Sequence, residues 1–411
     1  MNSTPADTKG SSPLPHVLII VENLPVPLDY RVWRIATTLR ANQYAVSVIS
    51  PATAQYPPGE YELDGITILR HSMPIEARSL PQYILEYSAA LWHEFRLSLR
   101  VYRRAPFHII HACNPPDLIW LVALFWRLRG VKFVYDHHDL CPELLLAKST
   151  CTSRKNLSLI RSFLYSMLRM LERISHALAH AVLATNDSYR RIALTRNHCS
   201  EEKVFTVRTG PLESELPEIP SGQTPAGPPQ LAYVGVMAAQ DGVDILISAL
   251  HIVRAELHWE CSLLLIGSGP ERDALEKLCR VLDLTGCVTF TGFLPRPVVF
   301  EHLNRSIMGI TPDPPGPMND ASTMLKALDY MSCGLPQVMF DLTENRATAG
   351  DSALYAEPGS VRDLAEKIVQ LLADPALRAT LSSEARSRIR SLTWEACGAP
   401  NLLKAYRHAV R

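Results

Sequence analysis

No stretch of this chain is apolar for long enough to cross a bilayer: the longest uninterrupted run, residues 118–126, has nine residues where about twenty are needed. Any membrane contact is therefore expected to be peripheral. The nine cysteines (Cys113, Cys141, Cys151, Cys199, Cys261, Cys279, Cys287, Cys333 and Cys397) never fall into Cys-x-x-Cys spacing, which argues against a thiolate metal centre and for free thiols in a reducing, cytoplasmic setting. Residues 1–15 are polar and rich in proline and serine, without a basic start or a cleavable apolar core. A disordered tail and no secretory signal are expected.

Net charge is also lacking, but only in the sum. Residues 1–210 carry 24 Lys+Arg against 17 Asp+Glu, and residues 211–411 carry 17 against 24. A positive first half suits an anionic partner, and two opposite halves equally suit surfaces that attract across a cleft. At 411 residues the chain exceeds one ordinary core and implies two domains.

Two series of apolar β-type runs alternate with helix-compatible stretches. The first series places strands at 16–21, 45–49, 66–69, 108–111, 131–135 and 181–184, the second at 231–235, 262–267, 288–290 and 308–310. Short runs without polar alternation point to parallel sheets covered on both faces. Residues 211–229, rich in Pro, Gly, Ser and Glu, have linker composition. The expected class is α/β: a tail (1–15), a first domain (16–210), a linker (211–229), a second domain (230–393) and a last helix (394–411) that packs back on the first domain. Residues 156–180 form a helix-compatible stretch with Arg161, Arg169 and Arg173 among apolar residues. Such a helix covers a sheet or lies on anionic lipid.

Ligands in open α/β sheets bind beyond the carboxyl ends of strands, and that rule selects a few loops. After the first strand, Asp29 is placed to cap a helix, with Arg31 and Arg34 near its start and able to reach a phosphate. After 131–135 comes Asp136-His137-His138-Asp139. A metal reading of this cluster is set aside, because adjacent residues on a strand end diverge and no second ligand cluster is evident. Asn114 and Asp117 follow another strand and either line an acceptor or cap. Residues 322–331 read as one helix started by Asn319, Asp320 or Ser322 and stopped by Gly334 and Pro336. Its start, at Ser322 and Thr323, exposes unpaired N–H groups. Lys326, on the helix surface one turn in, would grip a phosphate held there, with Asp329 below it.

The segment Asp329-Tyr330-Met331-Ser332-Cys333-Gly334-Leu335-Pro336 resembles the Glu-x-Met-Ala-x-Gly-x-Pro signature of family-four glycosyltransferases, and the likeness runs from the first strand to Leu392-Thr393-Trp394-Glu395. His-Ala-Cys-Asn-Pro-Pro-Asp and Asp-His-His-Asp-Leu look closest to bacterial surface-polysaccharide enzymes. The resemblance implies the GT-B architecture, two Rossmann-like doubly wound domains facing a cleft. It implies transfer of a sugar from a nucleotide-sugar donor to a lipid-linked or saccharide acceptor, with retention of configuration, no cofactor and no metal. It casts His138, Asp320 and Asp329 as catalytic, Ser322, Thr323, Lys326 and Arg31 on the donor diphosphate, and Gly292, Phe293 and Leu294 on the base. Asp29, Asn114 and Asp139 fall on the acceptor side. Peripheral contact with an anionic membrane at the inner face is compatible with it, and no nucleic-acid partner is expected.

Four departures stand out. The glycine pair of the first loop is replaced by Pro27-Leu28-Asp29-Tyr30-Arg31. The basic pair that grips the diphosphate is replaced by Gly235-Val236 and Asp241-Gly242. The first glutamate falls on Ala321, and the second is Asp329. The alternatives are a non-catalytic nucleotide-sugar-binding or partner protein of the same fold, and a sugar-nucleotide epimerase.

Overall fold

The computed structural model describes residues 15–72, 80–147, 155–218 and 228–411. The expected tail lies almost wholly outside the described residues, as do Cys151 and residues 219–227 of the expected linker.

The first sheet has eight strands: β1 (His16–Ile20), β2 (Ala45–Pro51), β3 (Gly59–Leu63), β4 (Ile66–His71), β5 (Ile109–Cys113), β6 (Lys132–His137), β7 (Ala181–Ala184) and β8 (Val204–Thr206). Their order is β3-β4-β2-β1-β5-β6-β7-β8. All pair in parallel except β3, which runs antiparallel to β4 at the edge. The second sheet holds β9 (Gln230–Val234), β10 (Ser262–Ile266), β11 (Val288–Gly292), β12 (Met308–Thr311), β13 (Gln337–Phe340) and β14 (Ala353–Ala356), all parallel, in the order β11-β10-β9-β12-β13-β14.

Side chains alternate across a strand, and β1 shows what that does here. Val17 and Ile19 face one apolar layer with the helix Tyr30–Ala41, while Leu18 and Ile20 face another with residues of the helix Trp120–Arg127. Both faces are covered, so every residue of β1 is buried. In the second sheet Leu263 and Leu265 of β10 join the larger core, and Leu264 and Ile266 join the smaller one.

The helix Ala399–Ala409 supplies Leu402, Ala405, Tyr406 and Ala409 to the first domain's core. Trp394 leads into it, buried, with its indole N–H donating to Thr38 Oγ1 at 2.8 Å. The chain thus crosses between domains twice.

The single helix expected over 322–331 is broken. A short helix Pro317–Ala321 ends, Ser322 and Met324 are extended, and a second helix runs Leu325–Ser332. The cause is tertiary: the Ala321 carbonyl accepts from Asn186 Nδ2 of the first domain at 2.8 Å. Downstream, Gly334 adopts φ +61°, the left-handed turn that closes a helix end, with its N–H donating to Met331 O at 2.9 Å.

Candidate functional site

Between the sheets lies a cavity of about 1010 Å³, walled by both domains. From the first domain come Asp29, Arg31, His138 and Asp139; from the second, Gly235, Gly267, Phe293, Arg296 and Asp329. The second-domain wall is largely backbone. A Cβ added at Gly267 would sit 2.0 Å from Gly235 O, so only glycine allows the ends of β9 and β10 to approach this closely. Gly267 N–H donates to Gly292 O at 3.0 Å, which carries the wall across to β11. Phe293 follows with its side chain 81% exposed.

The opposite wall rests on a buried ionic network. Asp136, at the end of β6, is fully buried. Arg31 meets it with Nη2 on Oδ1 at 2.6 Å and Nε on Oδ2 at 3.0 Å. The remaining Arg31 nitrogen, Nη1, donates to Val207 O at 2.6 Å and Thr209 Oγ1 at 2.8 Å. His138 Nε2 lies 2.8 Å from Asp136 Oδ2 and 3.1 Å from Arg31 Nε. One nitrogen serves only one role at a time, and the shorter contact to a carboxylate makes it a donor. Burial alone would raise the Asp136 carboxyl, but Arg31 and His138 hold it well below the usual range. Burial alone would lower His138, but the Asp136 charge and hydrogen bond outweigh it and its pKa is raised. His111 Nε2 reaches the same carboxylate at 3.3 Å, and its Nδ1 pairs with Tyr406 OH at 2.8 Å.

His111, Cys113 and Asp136 have donor atoms close enough to suggest a metal. The Arg31 guanidinium already supplies the positive charge there, so that cluster is an ion pair with its hydrogen bonds.

Several expected site residues are placed elsewhere or otherwise engaged. Asp29 lines the cavity and also caps the helix Tyr30–Ala41, accepting from Val32 N at 3.0 Å. Asn114 is buried away from the wall: its Nδ2 donates to Asp117 Oδ1 and Asp139 O, and its Oδ1 accepts from His138 N at 2.7 Å. It holds the His138–Asp139 loop in place and does not face an acceptor. Arg31 is spent on Asp136, Val207 and Thr209, so it is not a free cation for a phosphate. Asp320 is not on the cavity wall; it accepts from Thr343 N and Oγ1 at 2.8 and 2.9 Å, anchoring the helix Thr343–Ala349. Lys326 differs most from expectation. It is buried, with Nζ 2.8 Å from both oxygens of Asp313 and 4.0 Å from Asp241. Ser322, Thr323 and Asp329 do line the cavity, with Phe293 and Leu294.

Two further cations that face the cleft, Arg296 and Arg208, were not singled out from sequence. Arg296, the first residue of the helix Arg296–Arg305, is 2.9 Å from Asp329 and 5.8 Å from the Tyr30 ring of the other domain. Burial raises the Asp329 carboxyl even with Arg296 beside it. Arg208 pairs with Asp187 at 3.0 Å and lies 3.6 Å from Glu344 across the domains. The usable signal was Arg296 directly after Gly292-Phe293-Leu294-Pro295, a base at a strand-to-helix turn. Ser188 N donates to Glu344 Oε1 at 3.1 Å, and Asn186 Nδ2 to Thr323 Oγ1 at 3.0 Å, so the far end of the cleft is pinned.

Residues 228–374 match the family model described as glycosyl transferases group 1, and residues 29–210 match the glycosyl transferase 4-like domain. O-antigen chain mannosyltransferase B of Escherichia coli is 25% identical over 169 residues, covering 40% of this chain and 42% of its own length. The first curated relatives are matched over 40 to 42% of their length. Among solved structures, sucrose-phosphate synthase from Thermosynechococcus elongatus superposes with a TM-score of 0.74 at 19% identity, covering 96% of this chain and 99% of its own. Anabaena HepE, solved with UDP and glucose, gives 0.64 at 16% identity, covering 96% and 98%. These structural likenesses show a shared fold.

Because Lys326 and Asp313 are buried together, removing one leaves the other charged and unpaired. Lys326→Met is expected to lower unfolding free energy by about 3–5 kcal/mol, and Lys326→Met with Asp313→Leu to recover most of it. Chemical denaturation of the three proteins checks this. A single variant as stable as the parent would contradict the pairing.

Proposed function

We propose that the chain, which belongs to the group 1 glycosyltransferases with a glycosyltransferase 4-like first domain and the two-domain GT-B architecture, moves a sugar from a nucleoside diphosphate sugar to a hydroxyl of a saccharide or lipid-linked acceptor, releasing the nucleoside diphosphate. The observation that carries this reading is the backbone wall at Gly235 and Gly267, set opposite His138 across one cavity. A nucleotide needs backbone at close range and a flat apolar face for its base. Gly292 and Leu294 border the exposed Phe293 ring, which offers that face. HepE's bound UDP and glucose support a uridine diphosphate sugar as the first donor to try.

The leaving diphosphate needs positive charge that grows in value as the bond breaks. Lys326 is neutralised by Asp313, so Arg296 is assigned that task, with the N–H groups at the start of the helix Leu325–Ser332 beside Ser322 and Thr323. A diphosphate would draw Arg296 from Asp329 and leave that carboxylate to accept from a ribose or sugar hydroxyl. His138, held by Asp136 and with its pKa raised by that carboxylate, would present its other ring nitrogen to the sugar. Asp29 and Asp139 face the acceptor side. Retention of configuration rests on the family likeness.

A second reading, binding without turnover, is favoured by one observation: Val236 and Asp241 stand where relatives carry the basic pair. The exposed Leu159, Ile160, Phe163 and Met170 on the helix Lys155–Leu178, with exposed Arg173, support peripheral contact with anionic lipid. No helix among the described residues is long and apolar enough to cross a membrane.

Calorimetry with UDP, GDP and ADP is expected to show binding of at least one, weakened about tenfold or more by Arg296→Ala, the loss of one charge-assisted contact. Binding of none overturns the reading; binding of a donor with no release of nucleoside diphosphate when extracted acceptor lipid is supplied favours the non-catalytic one. Sedimentation with phosphatidylglycerol vesicles is expected to carry the protein down, and Phe163→Ser with Ile160→Ser to release it. Equal recovery of parent and variant would remove the lipid contact.

A further inference from the structure

The first sheet holds a second group of ionisable side chains at its strand ends, apart from the Asp136 network. Glu22 follows β1 and Val21, His71 closes β4, and Glu94 lies on the helix Leu80–Arg104. Their donor atoms all lie within 4.8 Å of one another, with His71 Nε2 at 3.3 Å from Glu22 Oε2. Glu94 is 0% and His71 4% exposed. Among the described residues neither carboxylate accepts a hydrogen bond from outside this group. Three ligand atoms, one from each side chain, converging in a core without outside partners for the carboxylates are rare, because buried polar groups are nearly always satisfied.

Neighbouring charge does not settle the account. Glu86 adds a like charge near Glu22. Arg70, beside His71 in sequence, donates instead to Val26 O and lies over the Tyr56 and Tyr61 rings. His93 stacks on His71 at 5.3 Å between ring centres, fixing the plane of the imidazole.

We propose that Glu22, His71 and Glu94 form a binding site for a divalent first-row cation. One imidazole and two carboxylates suit manganese or zinc better than magnesium or calcium, which favour oxygen alone. Donors about 2.0–2.2 Å from such an ion stand roughly 3 Å apart, and the His71–Glu22 contact already has that separation; Glu94 closes in by rotation of its side chain. The ion would tie the ends of β1 and β4 to the helix Leu80–Arg104. Glu22 immediately precedes Asn23 and Leu24 on the cavity wall, so the tie would also fix the loop that enters the cleft. The rival occupant is the proton: burial pushes Glu22 up to about 8 and Glu94 well above its usual value, and two protonated carboxyls would need no metal.

The full chain, stripped with chelator and dialysed against Mn²⁺ alone, separates the two. Manganese is the decisive probe because zinc also binds free thiols. Elemental analysis is expected to find about one Mn²⁺ per chain, with Tm raised by roughly 5 °C at saturation. Glu94→Gln replaces a protonated carboxyl by a neutral amide of the same shape, so it is expected to fold. It and His71→Gln are each expected to weaken binding tenfold or more and to abolish the Tm rise. Less than about 0.2 Mn²⁺ per parent chain, or undiminished binding by Glu94→Gln, overturns the proposal and leaves a proton-sharing pair.

Discussion

The Arg31–Asp136 ion pair is the constraint on which the first domain, the linker and the last helix all depend. A fully buried carboxylate is tolerable only when opposite charge and hydrogen bonds surround it. Asp136 receives both, from Arg31, His138 and His111. Each partner brings another part of the chain. Arg31 carries the start of the helix Tyr30–Ala41 and takes hold of Val207 and Thr209, where the chain leaves the first domain. His111 passes the contact to Tyr406 on the last helix. His138 faces the cleft beside Arg31, and Asn114 fixes its backbone from behind. The imidazole on the cleft wall is therefore held by the same atoms that hold the domain's edges together.

Across the cleft the logic is reversed. There the buried cation, Lys326, is locked to Asp313, while Arg296 sits at the surface of the cavity against a carboxylate that burial disfavours. An exchangeable partner suits a group that must bind an arriving anion, and a bidentate buried pair suits one that must not move. If Arg296 holds the diphosphate as proposed, it would stand in for the basic pair that the family likeness leads one to expect at Val236 and Asp241.

Much of the architecture was legible in the chain because both sheets are parallel and covered, so their strands read as short apolar runs bounded by turn residues. The helix Tyr30–Ala41 was readable to its ends from Asp29 and its apolar spacing. What escaped the sequence at the site has one cause: contact between distant segments. The break at 322–324 depends on Asn186 of the other domain. Lys326 looked like a solvent-facing cation because Asp313 and Asp241 are remote in the chain. Asp320 looked like a site carboxylate until Thr343 was found on it. The polar edge strand β3 and the short β8, β13 and β14 carry too little pattern to be found alone. Glu22, His71 and Glu94 come from three separate elements, so no spacing rule joins them. Of the candidate site, the loops were legible and the division of labour among their charges was not.

His138 reports the central network most directly, and its titration by NMR of histidine-labelled protein is the decisive measurement. With Asp136 ionised at 2.8 Å, its pKa is expected above the ordinary value of 6.5. A folded value raised above the unfolded one stabilises the protein fully below about pH 6.5 and loses that contribution as pH rises through the folded value. In Asp136→Asn the midpoint is expected to fall below that of the parent. A parent midpoint at or below 6.5 would mean that burial outweighs the ion pair, that His138 meets the cleft neutral, and that the network described here is not what sets the charge of that wall.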